Sequence, residues 1–112
     1  MTAPPVDIAD AGITTEDVAA FLAAEFNAFA NTNLGGDVVI RGASAQGTEL
    51  TVEIRITSVR RRYPDGIGRT VAPGFVCGGP PLDGFIALGG SVRMAFYGRS
   101  SGLEDTYTVT SC

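Results

Sequence analysis

Within residues 48–59, whose sequence is TELTVEIRITSV, hydrophobic and polar side chains alternate strictly over the eight residues 50–57. Every second position is aliphatic, the positions between them are polar, and β-branched side chains are frequent. A period of two is typical of a β-strand that places one face on a hydrophobic core and the other in water. The inward side chains are predicted to be Leu50, Val52, Ile54 and Ile56.

A helical pattern precedes this strand. Hydrophobic side chains recur at intervals of three and four residues, and alanine fills most positions between them. Thr14 is the expected N-cap residue, because Asp17 follows three positions later, as in a capping box. The pattern predicts one long N-terminal helix that ends near residues 31–36. Its buried stripe would consist of Val18, Phe21, Leu22, Phe26 and Phe29.

Three further segments, residues 37–45, 91–97 and 104–112, also read as strands. Val38 and Ile40 can share the core face of the 48–59 strand only if the hairpin loop contains an odd number of residues, because a shift by one residue exchanges the two faces. A three-residue loop over residues 46–48 is therefore expected.

Residues 64–90 are rich in glycine and proline and have no clear period. We expect a short strand near residues 67–71, before Pro73, and one helical turn over residues 82–88. A loop of this length in a small domain is usually functional or disordered.

Together these segments predict an α+β fold in which one N-terminal helix packs across an antiparallel meander of four to five strands. Residues 1–12 are expected to form a flexible leader, and residues 13–112 a single domain. The outline resembles the cystatin-like arrangement and, less closely, the soluble part of a type IV pilin. The resemblance implies the fold alone: residues 44–48 lack the cystatin inhibitory sequence, and the chain has no tryptophan for the second inhibitory loop.

Cys77 and Cys112 are the two cysteines of the chain, and Cys112 is its last residue. We predict a disulfide between them, which would hold the last strand in place and stabilise the fold by about 3 to 4 kcal/mol. A disulfide indicates an oxidising compartment, so the protein is expected to be periplasmic or secreted, with its signal sequence removed. The alternative is a cytosolic protein with two buried, reduced cysteines.

Composition argues against several classes of function. The net charge of −4 argues against nucleic-acid binding, which requires a basic surface. The absence of histidine and lysine removes the usual nucleophilic and Schiff-base sites, so we expect no enzyme. Two thiols without histidine do not complete a typical zinc site, and we expect neither a metal nor another cofactor. No stretch has the length of a membrane span.

Arginine is concentrated in one place. Residues 60–62 are three consecutive arginines, Arg60, Arg61 and Arg62, and Tyr63 and Arg69 follow. Guanidinium groups bind carboxylates and phosphates with paired hydrogen bonds, so this cluster is a candidate site for an anionic group. The alternative is a solvated strand end with weak surface ion pairs.

The apolar side chains of residues 64–90 are a second candidate, with Phe75 and Phe85 the largest. They either form an adhesive patch for a protein partner or a second copy, or they cover the open end of the core.

We therefore expect a non-enzymatic protein-interaction module, such as an adaptor, assembly factor or inhibitor, in a bacterial envelope or secreted setting. Its partner would be a protein, and a homodimer is a second arrangement. One alternative is a pilin-like structural subunit. Another is a small-ligand carrier with its pocket between Phe21, Phe26 and the sheet.

Overall fold

The computed structural model describes residues 13–35, 38–57, 63–98 and 102–112, so the leader predicted for residues 1–12 lies outside the described residues. Within these ranges the chain forms three helices and five strands. In chain order they are α1 (Thr15–Ala28), β1 (Asn33–Gly35), β2 (Val38–Gln46), β3 (Glu49–Ile56), α2 (Ile67–Cys77), α3 (Leu82–Ala87), β4 (Ser91–Tyr97) and β5 (Leu103–Val109).

Helix α1 begins at the predicted capping box. The Thr14 hydroxyl accepts a hydrogen bond from the Asp17 N–H at 3.1 Å, and the Asp17 carboxylate accepts one from the Thr14 N–H at 3.0 Å. Two hydrogen bonds lower the pKa of the Asp17 carboxyl. The larger effect comes from the Thr14 backbone, and the smaller one from the Thr14 side chain. The predicted start of the helix is confirmed.

The buried side of α1 differs from the predicted stripe. Ala19, Leu22 and Ala23 are buried, and Phe26 is partly buried against the core. Phe21 is 62% exposed and Phe29 is 55% exposed, so the prediction was wrong at these two positions. Alanine at the inner positions lets the helix backbone approach the sheet closely, which leaves the two large rings on the outside.

The sheet has the order β1-β2-β3-β4-β5. Strands β3 and β4 pair in parallel, whereas the other neighbouring strands pair antiparallel. The α+β class is confirmed. The antiparallel meander, and with it the cystatin-like outline, is corrected to a mixed sheet. Parallel neighbours require a crossover connection, and the chain between β3 and β4 provides one that contains α2 and α3.

Helix α2 occupies the segment where a short strand was expected. Ala72 and Val76 lie four residues apart, and both are 0% exposed. Burial of this helical stripe outweighs the poor helix propensity of the glycines and of Pro73, which lies inside the helix. Helix α3 confirms the turn predicted for residues 82–88.

The hairpin between β2 and β3 has a two-residue turn, Gly47 and Thr48, and not the expected three-residue loop. Gly47 has a φ of 60°, which favours glycine. The odd residue that the burial pattern requires is present in β2 itself, where the register shifts between Ile40 and Gly42. This β-bulge at Arg41 keeps Val38 and Ile40 on the core face and places Ala43 opposite Val52, whereas residues 44–46 at the hairpin end are exposed.

The core lies between one face of the sheet and the three helices. The four predicted inward side chains of β3 are 3% exposed or less, which confirms the alternating pattern. In the parallel register they lie beside Val92, Met94 and Phe96 of β4. The predicted disulfide between Cys77 and Cys112 is present, with the two Cα atoms 5.5 Å apart, and it joins the end of α2 to the last residue.

Candidate interaction surfaces

Tyr63 lies at the ends of the parallel strands. Its hydroxyl donates to the carbonyl oxygen of Tyr97 at 2.8 Å, with the Ile54 oxygen at 3.5 Å. Its ring packs edge-on against Phe96, with the ring centres 5.5 Å apart. Burial raises the pKa of Tyr63 to about 12, and the negative charge of Glu104 adds to this effect. Tyr63 therefore anchors the chain that leads into α2 against β3 and β4.

The other described residues of the predicted binding region, Arg69, Phe75 and Phe85, do not form one exposed surface. Arg69 is exposed on α2. Phe85 is 1% exposed and belongs to the core. Phe75 is partly buried against the core, with its ring centre 6.3 Å from that of Phe26. Both phenylalanines thus lie where they are expected if residues 64–90 cover the open end of the core. The Phe85 ring is not accessible to a partner.

The arginine cluster of residues 60–62 lies outside the described residues. Tyr63, which follows the cluster in the sequence, is described and lies beside β3 and β4. The anion-binding role of Arg60, Arg61 and Arg62, together with Arg69, stays a prediction.

A second group of arginines lies on the face of the sheet opposite the helices. The bulge exposes Arg41, whose Nη1 is 3.5 Å from Oε2 of Glu53. The Arg41 guanidinium carbon lies 4.1 Å from the centre of the Tyr97 ring, a cation–π contact. Arg55 and Arg93 alternate with inward residues of β3 and β4 and therefore share this face. These arginines are interspersed with acidic side chains, so the face carries mixed charge.

The outer side of α1 is an apolar and acidic surface that the hydrophobic pattern does not predict. It exposes the rings of Phe21 and Phe29 together with Ala20, Ala24 and Ala28. The charged side chains of the helix are Glu16, Asp17 and Glu25, and it contains no basic residue. The sequence signal was the five-residue spacing of Phe21 and Phe26, which places the two rings about 140° apart around the helix.

The position of Phe21 contradicts the pocket of the small-ligand carrier. That pocket required Phe21 and Phe26 to line one space between α1 and the sheet. Phe21 points to solvent, and Phe26 packs against Phe75 and the core. The predicted lining of the pocket is therefore not formed.

No three histidine, cysteine, aspartate or glutamate side chains gather into a metal site in the described part of the chain. Both cysteines are consumed by the disulfide. The helices described are all too short or too polar to cross a membrane.

Comparison with known proteins finds solved structures of similar fold. No protein-family model matches the chain. No curated protein matches its sequence. The solved structure of the pilotin EpsS from the Vibrio vulnificus type 2 secretion system superposes with a TM-score of 0.76 at 14% identity, covering 87% of this chain and 88% of that chain. The chain has a pilotin-like fold.

Two other solved structures share this pilotin-like fold. The type II secretion system pilotin AspS from Vibrio cholerae has a TM-score of 0.71 at 17% identity, over 86% of this chain and 88% of that one. A Pseudomonas aeruginosa protein described as secreted has a TM-score of 0.69 at 14% identity, over 94% of this chain and 95% of that one. At these identities the likeness establishes the fold.

Proposed function

We propose that this chain is a non-enzymatic accessory protein of a bacterial secretion apparatus, located outside the cytoplasm, which acts by binding another protein. The observation that carries the proposal is the fold, which matches two secretion-system pilotins over most of both chains. The disulfide supports the location, because such bonds persist in the periplasm or the medium and are rare in the cytosol.

The outer side of α1 supports a protein partner. Exposed aromatic rings are frequent at the energetic centres of protein interfaces, and Phe21 and Phe29 are the two most exposed large hydrophobic side chains of the described residues. The acidic residues around them favour a partner with an apolar centre and a basic rim.

The arginine cluster is proposed as a second anchor, for an acidic group of the same partner. Replacement of Arg60, Arg61 and Arg62 by glutamine is expected to weaken partner binding and to leave the melting temperature nearly unchanged. A large loss of thermal stability would instead assign these residues a structural role.

Site-specific photo-crosslinking in the native bacterium tests the proposal. A photoreactive phenylalanine analogue replaces Phe21 in one variant, and an exposed α2 residue, Thr70, in a control variant. We expect a covalent adduct with a component of the secretion apparatus at position 21 and a weaker one at position 70. Deletion of the gene should also reduce the amount of secreted protein.

The proposal fails if neither position is crosslinked to an envelope protein and the deletion leaves secretion unchanged. The pilin-like alternative rested on a helix, a meander and a C-terminal cysteine loop; the helix and the disulfide are present, whereas the sheet is not a meander. The ligand carrier lacks the pocket lining that it required.

A further inference from the structure

The two edges of the sheet are protected to different degrees. The edge strand β1 is short and pairs only with Val38 and Val39 of β2, so the rest of this side of β2 forms an edge, called here the β2 edge. There the Ile40 oxygen accepts from the Asn31 N–H at 2.7 Å, and the Ile40 N–H donates to the Thr32 oxygen at 3.3 Å. Further along, the Ala43 N–H and C=O are both bonded to the side-chain amide of Asn27, at 2.9 and 2.8 Å. Asn27 thus takes the place of a neighbouring strand.

The backbone N–H and C=O groups of β4 face β3 and β5 at alternate residues, and this alternation determines which backbone groups of β5 point away from the sheet. The Ser91 N–H donates to the Thr48 oxygen at 3.0 Å, so the peptide groups of Ser91 face β3. This direction alternates along a strand. The peptide groups of Val92, Met94 and Phe96 therefore face β5, where the partners are Val109, Tyr107 and Asp105 respectively.

Thr106 and Thr108 alternate with these partners, so their N–H and C=O groups point away from β4. In residues 13–35, 38–57, 63–98 and 102–112, no hydrogen bond from another segment reaches these two residues, and both are exposed. Two residues present two donors and two acceptors. An extended chain alongside β5 can therefore form four backbone hydrogen bonds.

Strand β5 contains none of the residues that usually protect an edge, and no segment among the described residues pairs with its outer side. Natural edge strands are blunted by lysine, proline or a covering segment, and the sequence of β5, LEDTYTV, contains neither lysine nor proline. Its threonine, tyrosine and valine residues favour an extended backbone. Residues 102–112 contain Glu104 and Asp105 and no basic residue. Glu104 is exposed and gives the strand its accessible negative charge, whereas Asp105 bonds to Gly68 and Arg93 of β4 lies opposite Thr108.

A second copy of the chain does not fit this edge. Gly68 of α2 lies directly against β5, because its N–H donates to the Asp105 carboxylate at 2.8 Å. Pairing two β5 strands, which lie about 5 Å apart in a sheet, would bring two α2 helices closer than the roughly 8–10 Å at which helices pack. An extended segment without a helix on that face meets no such obstacle.

We infer that the β5 edge binds an extended segment of a partner polypeptide that carries basic side chains and adds one strand to the sheet. The inference rests on the proposed function in that the partner is a protein. It adds a second surface, distinct from the outer side of α1. Backbone hydrogen bonds supply the affinity in this mode of recognition, and side chains supply the selectivity.

Amide hydrogen exchange measured by NMR tests the geometry and the binding together. The probe is a synthetic nine-residue peptide of alternating valine and lysine, capped at both ends. In the free protein, the amides of Tyr107 and Val109 should exchange slowly and those of Thr106 and Thr108 rapidly. The peptide should slow exchange at Thr106 and Thr108.

Two control peptides separate backbone pairing from charge attraction. One carries glutamate in place of lysine, and the other carries N-methyl groups on the amides that would face β5. Loss of one hydrogen bond weakens binding roughly fivefold, so the N-methylated peptide should bind at least that much more weakly. The acidic peptide should also bind more weakly, because it meets the exposed carboxylate of Glu104.

The protein variants are Thr106→Pro, which removes an outward N–H that the sheet does not use, and Thr106→Val as its control. Proline should weaken binding roughly fivefold and valine should not. If Thr106→Pro does not fold, the N-methylated peptide still decides the question.

The inference is overturned if the N-methylated peptide binds as well as the parent, or if the peptide causes no protection at Thr106 and Thr108. It is also overturned if these amides are already protected in a dimer detected by sedimentation. In each of these cases a crosslink at Phe21 would leave the proposed function standing.

Discussion

The N–H of Gly68 donates to Oδ2 of Asp105 over 2.8 Å, and this contact brings the backbone of α2 against β5. A Cβ atom on Gly68 would lie 2.8 Å from the Cβ of Tyr107 and 3.3 Å from the backbone carbon of Thr106. Glycine is required here because the helix and the strand approach each other with no space for a side chain.

Replacing Gly68 with alanine should therefore destabilise the protein. The added methyl group must push α2 away from β5, which typically costs about 1 to 3 kcal/mol. Gly74→Ala is the matched control in the same helix, because a Cβ there meets no atom within 4 Å. It should be neutral or stabilise by up to about 1 kcal/mol. Urea unfolding measures both, and equal effects would contradict the close approach.

Asn27 and Ala43 support a second prediction. Asn27→Ala removes both hydrogen bonds that cover the β2 edge, and we expect a loss of about 1 to 2 kcal/mol in the free energy of unfolding. The amide of Ala43 should then exchange faster. Glu25→Ala, an exposed position in the same helix, should change neither quantity appreciably. Unchanged exchange at Ala43 in the Asn27 variant would show that another group protects this edge.

The parts of the fold that could be predicted depend on local signals. The alternation from Leu50 to Ile56 and the capping box at Thr14 both act within a few residues, and the structure has both. The disulfide followed from there being two cysteines and no competing metal ligand. Such features need no knowledge of which strands are neighbours.

The parallel pairing of β3 and β4 could not be predicted in this way. A glycine-rich segment with Pro73 has low helix propensity, and it becomes α2 only because Ala72 and Val76 find a core to enter. Without that helix no crossover was evident, and hairpins were the simpler connection. Burial of its side chains in the core therefore makes this segment helical, although its local sequence disfavours a helix.

Contacts between residues far apart in the sequence also decide whether a side chain points to the core or to solvent. The hydrophobic pattern requires one extra residue in the β2–β3 hairpin and predicts it in the loop. In the structure the extra residue is the bulge at Arg41, whose side chain contacts Glu53 and Tyr97. On α1, five large apolar residues competed for a narrow inner side, and the pattern alone did not show that Phe21 would lie outside. The exposed aromatic surface was therefore missed.

The disulfide is expected to contribute strongly to stability. Cys77 and Cys112 are separated by 35 residues in sequence, and closing a loop of this size stabilises the native state by about 4 kcal/mol in the chain-entropy model. Reduction should lower the urea midpoint accordingly. The variant Cys112→Ala, measured without reductant, should match the reduced protein. Alkylation of both thiols in the unreduced, denatured protein would show that the bond is not formed.

Tyr63 should make stability depend on alkaline pH. Its pKa is raised to about 12 in the folded protein, against 10.0 for an unperturbed tyrosine. The unfolded chain therefore releases this proton first, so the stabilisation is fully present below pH 10 and is lost between pH 10 and about 12. Tyr63→Phe should lower stability at pH 8 by about 1 kcal/mol through the lost hydrogen bond to Tyr97.

The pH dependence separates this effect from simple packing. Between pH 10 and 12 the stability of Tyr63→Phe should fall less steeply than that of the parent protein, since the variant lacks the group that titrates there. The other two tyrosines serve as the internal reference because both proteins contain them. Parallel stability curves over this range would contradict the shifted pKa of Tyr63.

Neighbouring residues of α1 provide the sharpest separation of binding from stability. Leu22 is 3% exposed, and Leu22→Ala should cost about 2 to 5 kcal/mol because it leaves a cavity in the core. Phe21→Ala should change stability by no more than about 0.5 kcal/mol, because that ring is in solvent. If the outer side of α1 contacts the partner, Phe21→Ala should nevertheless reduce secretion in the native bacterium, although the protein remains folded and abundant. A destabilisation by Phe21→Ala comparable to that of Leu22→Ala would place the ring inside the fold and remove the aromatic surface from the proposed function.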